Sequence, residues 1–257
     1  MNVSIEYVRA FVGQLDALDE RTARVIESEI AKRDLERRII EGEAEAYDEI
    51  AEIMRIATQS SARMASALSA RYYNGIRKGS NAKGNYDAES FDTVNDDELR
   101  SATFSVSKEY SSGNATAPLY TLLGDVNSRF TRYSSNESIR RNAARDPAKP
   151  KYAIVPSPTA CVFCQMRAGL GYQYAAQANV ESHNNCKCQA VPVFGNSKIQ
   201  GYNPEEYESK YYEALHVYES GDISEDLKKR IEVARSSNPD FEKTNAVLMV
   251  WREMEKR

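Results

Sequence analysis

The chain has 257 residues, of which 28% are charged, and a formal net charge of −4. That size allows one large domain or two small ones. The charge argues against a general nucleic-acid coat, which is strongly basic, and no apolar run reaches the length of a membrane span.

Residues 1–13 lack the apolar core of a signal peptide, so residence in the cytoplasm where the chain is made is expected. Residues 4–40 read as one helix, with Ser4 as its cap. Val8, Phe11, Leu15, Leu18, Val25 and Ile26 form a narrow apolar stripe. Glu41-Gly42 breaks or bends it. A second helix is expected over 43–78. Tyr47, Ile50, Met54, Ala57, Ser61, Met64 and Leu68 recur there at alternating steps of three and four, the seam of a coiled coil. Each helix would span roughly 50 Å. One arrangement is an antiparallel hairpin packed on itself. The other is a docking arm, because small residues at 57 and 61 leave room for a partner helix.

Residues 79–96 read as a loop, and six acidic residues with no basic one lie between Asp87 and Glu98. A solvated loop or a contact with a basic surface would account for them. A helix over 96–111, capped by Asp96 or Asp97, is followed by one from 117 to 127 that can run on to 145. Between Arg129 and Lys151 lie seven basic and two acidic residues. That excess invites a nucleic-acid reading; an exposed helix face is the plainer one, since few aromatics beyond Phe130 and Tyr133 are there for stacking. Residues 146–158 form a Pro-rich connector with a short strand at 152–155. A second strand at 189–194 is expected to pair with it. Helices follow over 203–218, 225–234 and from 238 through 251, with Trp251 as a core anchor.

All four cysteines, Cys161, Cys164, Cys186 and Cys188, fall in one stretch, together with His183, one of two histidines. The pattern is C-x2-C followed by H-x2-C-x-C. Two such half-sites supply the soft tetrahedral donors that Zn²⁺ prefers. Five candidates compete for four places. Cys161, Cys164, His183 and Cys186 are the favoured set, with Cys188 in reserve because two residues along a strand it shares a face with Cys186. Four protein ligands leave no position for water, so the expected Zn²⁺ is structural. Two disulfides, or nucleophilic thiols, are the other readings of the same residues.

The runs from Tyr152 to Met166 and from Ser182 to Phe194 resemble the zinc-binding segment of phage head morphogenesis proteins, the Mu F-like minor capsid family, notably those of tailed phages of Gram-positive bacteria. Val155-Pro156, Cys161, Cys164, His183, Cys186, Cys188 and Val191-Pro192-Val193 carry the match. It covers roughly residues 130–195. Arg167-Ala168-Gly169-Leu170-Gly171 departs from the small-residue turn of relatives and leaves the length of the helix after Cys164 open.

The resemblance implies a structural, non-enzymatic minor head protein of a tailed phage or prophage, located in the virion at the capsid interior or portal vertex. Its partners would be the portal protein, the major capsid protein and packaged DNA, and its work prohead assembly and DNA packaging or ejection. The expected architecture is mainly α with a small α/β zinc-binding module. It divides into a helical hairpin at 1–78, a helical middle at 79–150, a two-stranded zinc module at 151–195 and C-terminal helices at 196–257. Two alternatives remain: a zinc-dependent nuclease or toxin-type enzyme, and a DNA-binding protein using the zinc module. His216 is the one histidine left for catalysis, and neither G-x4-G-K-[ST] nor HExxH occurs.

Overall fold

The structure is a computed structural model that describes residues 2–174 and 186–256. These form a mainly α protein with one small sheet and a cluster of cysteines.

Helix α1 (Ile5–Lys32) starts at Ser4, whose Oγ accepts from the Tyr7 N–H at 3.2 Å. Its buried stripe runs through Val8, Phe11, Leu15, Leu18, Thr22, Ile26 and Ile30, while Val25 is exposed. The helix does not continue to residue 40. Asp34 adopts φ 51°, a left-handed conformation that Asp tolerates better than most residues. A separate short helix, α2 (Leu35–Ile40), follows and turns Leu35 and Ile39 into the core.

Helix α3 (Ala44–Gly79) buries Ile50, Met54, Ala57 and Ser61 as the seam predicts. Beyond Ser61 the prediction fails. Met64 is exposed, Leu68 is half-buried, and the buried face continues on Ala65, Ser66, Ser69, Tyr73 and Ile76. A helix with 3.6 residues per turn drifts away from a strict seven-residue seam. The main neighbour of α3 is α5 (Leu119–Arg145), which lies against it along much of its length. The room left at the small residues is therefore filled from within the chain. Ser61 Oγ meets Thr131 Oγ1 at 2.7 Å, Ser66 Oγ meets Ser138 Oγ at 2.7 Å, and Ser69 Oγ donates to Ser135 Oγ at 2.8 Å. Small side chains let the helices approach, and each buried hydroxyl satisfies another.

Helix α4 (Asp96–Ser111) is capped by Asn95 instead of Asp96 or Asp97, its Oδ1 accepting from the N–H groups of Asp97 and Glu98. Helix α5 is continuous to Arg145, and Pro118 precedes its first turn. The two charge biases seen in the sequence neutralise each other and their neighbours. Glu89 pairs with Arg145 at 2.7 Å, Asp92 with Arg63 at 3.1 Å, and Glu98 with Arg129. Arg140 and Arg141 both hold Glu137, and Arg132 is fully buried between Asp16 and Asp19. Every arginine from 129 to 145 thus has an acidic partner in the same chain.

The sheet has three strands where two were expected. Strands β1 (Lys151–Val155), β2 (Gln173–Tyr174) and β3 (Gln189–Val193) lie in the order β2-β1-β3, all antiparallel. The expected pairing of β1 with β3 is present, with Tyr152 opposite Pro192 and Ile154 opposite Ala190. Proline is tolerated there because β3 is an edge strand. Residues of α1, α3, α5 and the sheet, among them Phe11, Tyr73, Ile139, Tyr152, Ile154 and Val191, share one core. The N-terminal helices accordingly do not stand apart as a free arm. The chain start is tied down as well: the Val3 N–H donates to the Lys198 carbonyl at 2.9 Å, and the Gln200 N–H donates to the Val3 carbonyl at 2.8 Å.

Helix α6 (Val162–Gly169) follows Cys161 and resolves the helix length left open by the sequence. A Cβ on Gly169 would lie 2.9 Å from the Glu208 backbone nitrogen, so glycine is needed for the approach of α7 (Pro204–Ser220). Helix α8 (Glu225–Ser237) is capped by Ser224. Helix α9 (Lys243–Met254) begins later than Asn238-Pro239 predicts, at a capping box formed by Glu242 and Asn245. Trp251 is buried among Val162, Leu227, Ile231 and Val247, so α6 joins the C-terminal helices to the rest.

Candidate metal centre

Cys161 is the N-cap of α6 and Cys164 lies in its first turn, where the Gln165 N–H donates to the Cys161 carbonyl at 3.0 Å. The C-x2-C spacing therefore sits on a helix start, which turns both side chains toward one side. Cys186 and Cys188 arrive from the other direction, on the segment entering β3. The Sγ atoms of Cys164, Cys186 and Cys188 all lie within 4.8 Å of one another, and all three residues are buried. The Cys164–Cys186 Sγ separation is 3.5 Å.

That separation is far beyond the roughly 2.05 Å of a disulfide, and none of the four cysteines is in a disulfide. A tetrahedral site with metal–sulfur bonds of about 2.3 Å places its sulfurs about 3.8 Å apart. The observed spacing fits that figure. Cys161 is half-buried and stands beside Cys164; its thiol is the leading cause that pushes the Cys164 pKa well above the thiol range, followed by Cys186 and Cys188. At Cys188 the contact with Cys164 favours the thiolate. Cys186 and burial outweigh it, and the thiol is pushed up to about 12. Without a cation, crowding and burial favour the protonated thiols of Cys164 and Cys188. A bound cation reverses that balance, since the thiolate is the ligand form. The cluster can thus hold a metal ion.

The structure brings Cys164, Cys186 and Cys188 together and sets Cys161 beside Cys164. His183 lies outside the described residues. Cys188, the reserve candidate on sequence grounds, is in the buried triplet with Cys164 and Cys186, as the shared face of residues two apart allows.

Two further residues hold the cysteine segment. Asn136 of α5 donates from Nδ2 to the Cys188 carbonyl at 3.2 Å and accepts at Oδ1 from the Ala190 N–H at 2.8 Å. Lys187 pairs with Asp16 of α1 at 3.1 Å. Nothing in the sequence around Asn136 singles it out. One signal was available: Asn127, Thr131, Ser135, Ser138 and Asn142 recur at steps of three and four, so the buried stripe of α5 is polar.

A family model described as VG15 protein matches residues 2–214, from the chain start to well into α7. The family is one of viral and phage gene products, which points to a phage-encoded protein. No curated protein and no solved structure matches the chain. Among the described residues, no helix is long and apolar enough to cross a membrane.

Proposed function

The chain belongs to the VG15 protein family, and on that premise we propose that it is a structural minor head protein of a tailed phage or prophage. In this reading it acts near the portal vertex, in prohead assembly and in DNA packaging or ejection. It binds the portal or major capsid protein and catalyses no reaction. The observation that carries the reading is the meeting of three thiols, those of Cys164, Cys186 and Cys188, at one buried point between α6 and the entry to β3, with Cys161 beside Cys164. It agrees with the head-protein resemblance of the same segment.

The metal in this reading is Zn²⁺. Cys164, Cys186 and Cys188 hold it, with Cys161 or His183 in the remaining place. Bound there, it supplies a fixed cross-link between two chain segments and no open position for a reacting molecule. The helical surface then serves for docking.

The test is co-expression with the portal and major capsid proteins of the same phage, followed by isolation of heads. The protein is expected to co-purify with portal-containing particles and to carry zinc. Its absence from heads, with the protein folded and zinc-loaded, overturns the assembly role. Zinc-dependent cleavage of DNA or RNA overturns the non-enzymatic reading.

A further inference from the structure

Asn136 lies in the middle of α5, a helix that contributes no cysteine, yet its amide brackets the cysteine-bearing segment. The donor Nδ2 and the acceptor Oδ1 engage the Cys188 carbonyl and the Ala190 N–H on either side of Gln189. This is the pattern a neighbouring strand would offer, supplied by one side chain. Gln189 itself is buried against Ser135, the residue before Asn136. Asn136 is only 4% exposed, so water cannot readily replace these bonds.

The consequence falls on Cys188. Its backbone carbonyl is held, so the direction of its side chain toward Cys164 and Cys186 is held too. On the reading that the cluster binds a metal, we infer that Asn136 is a positioning residue for the metal centre. It fixes the second half-site in the ligating geometry before the ion arrives. Groups that orient ligands in this way typically contribute ten- to a hundredfold in metal affinity.

The experiment measures Zn²⁺ affinity by chelator competition, and the thiolate-to-metal absorption of the Co²⁺-loaded full chain. Wild type, Asn136→Ala, Asn136→Asp and Asn142→Ala are compared. Asn142 serves as control because it lies on the same helix but bonds the 86–89 segment and not the cysteine segment. Asn136→Ala is expected to weaken Zn²⁺ binding about ten- to a hundredfold and to alter the Co²⁺ spectrum. Asn136→Asp keeps the acceptor for Ala190 but sets a carboxylate oxygen against the Cys188 carbonyl, so a loss at least as large as that of Asn136→Ala is expected. If neither variant folds, Asn136→Gln, which keeps both groups but displaces them by one methylene, carries the test. Asn142→Ala is expected to lower thermal stability with the metal affinity unchanged.

Folded Asn136 variants that bind Zn²⁺ as tightly as wild type overturn the inference and leave the metal reading intact. The same follows if Asn142→Ala weakens binding as much as Asn136→Ala, since the effect is then general destabilisation. Wild-type protein that binds neither ion overturns the metal reading and this inference together.

Discussion

Asn142 holds the backbone of Glu89 in both directions: its Oδ1 accepts from the Glu89 N–H at 2.9 Å, and its Nδ2 donates to the Glu89 carbonyl at 2.9 Å. Tyr86 also donates to the same Oδ1 at 2.7 Å. The segment before α4 is extended, and these bonds strap it to α5. Ser66 accepts from the Phe91 N–H, and Asn74 from the Ala88 N–H, so α3 holds the strap as well.

Replacing Asn142 with alanine should therefore free residues 86–91 before anything else. Three bonds to the strap are lost, at about 1 kcal/mol each, so a loss of roughly 2–3 kcal/mol is expected. Hydrogen exchange should rise at Glu89 and its neighbours while the sheet stays protected. Unchanged exchange at Glu89 would show that the remaining contacts suffice.

Arg132 is the fully buried cation between α5 and α1, 2.6 Å from Asp16 and 3.0 Å from Asp19. Removing one partner of such a group costs about 3–5 kcal/mol, and Arg132→Met should show a loss of that order in denaturant titration. The pH dependence is specific. Burial raises the Asp19 pKa, and Arg132 is the first of the groups pulling it back down. A carboxyl raised in the folded state contributes stability below its unfolded pKa and loses it as pH rises through the folded value. Without Arg132 the Asp19 pKa rises further. The deficit of the variant should thus shrink as pH falls through the raised Asp19 range. A deficit that stays constant over that range would mean that Asp19 is not the group left exposed to the loss.

The serine seam between α3 and α5 predicts an ordering. Ser69→Ala removes the bond to Ser135 and leaves that hydroxyl a further contact with Gln189; about 1 kcal/mol is expected. Ser69→Leu forces the helices apart and should cost more, about 1–3 kcal/mol or beyond. Equal midpoints for the two variants would show that the helices are not in close contact at this point.

At the cysteines, the buried triplet predicts that Cys164→Ser and Cys188→Ser impair zinc binding to a similar degree. The sequence pattern alone ranks Cys188 below Cys164. Elemental analysis should find about one Zn²⁺ per chain in the parent protein and a deficit in both variants. A Cys188→Ser protein with full zinc content and unchanged stability would assign the two places beside Cys164 and Cys186 to Cys161 and His183, with Cys188 as a bystander.

The contrast between Cys188 and Asn136 shows what was legible beforehand. The cysteines announce themselves because thiols are rare and their spacing reflects a local turn. The caps at Ser4 and Ser224 and the pairing of β1 with β3 were legible for the same reason: each depends on residues close in sequence or on simple alternation. The break at Asp34 was not, because neither glycine nor proline marks it and only the left-handed φ reveals it. Met64 was misplaced because α3 drifts off a strict seam and packs against α5, α1 and α4, so its buried face is wider than one seam. The acidic stretch and the basic stretch each read as a solvated face or as a surface for a partner. Their partners prove to include each other, through Glu89 with Arg145 and Glu98 with Arg129, a match across distant residues that neither stretch shows alone.

The tie between Val3 and the segment 198–200 has a consequence for synthesis on the ribosome. Val3 must wait for a partner roughly 200 residues behind it. At about 5–20 residues per second, that delay is on the order of ten to forty seconds. Throughout it α1 can pack on α3 and α5, while its leading end stays unfinished. Such a nascent chain ripens late and all at once, and a ribosome stalled before residue 198 would display a protein that is helical but not yet closed.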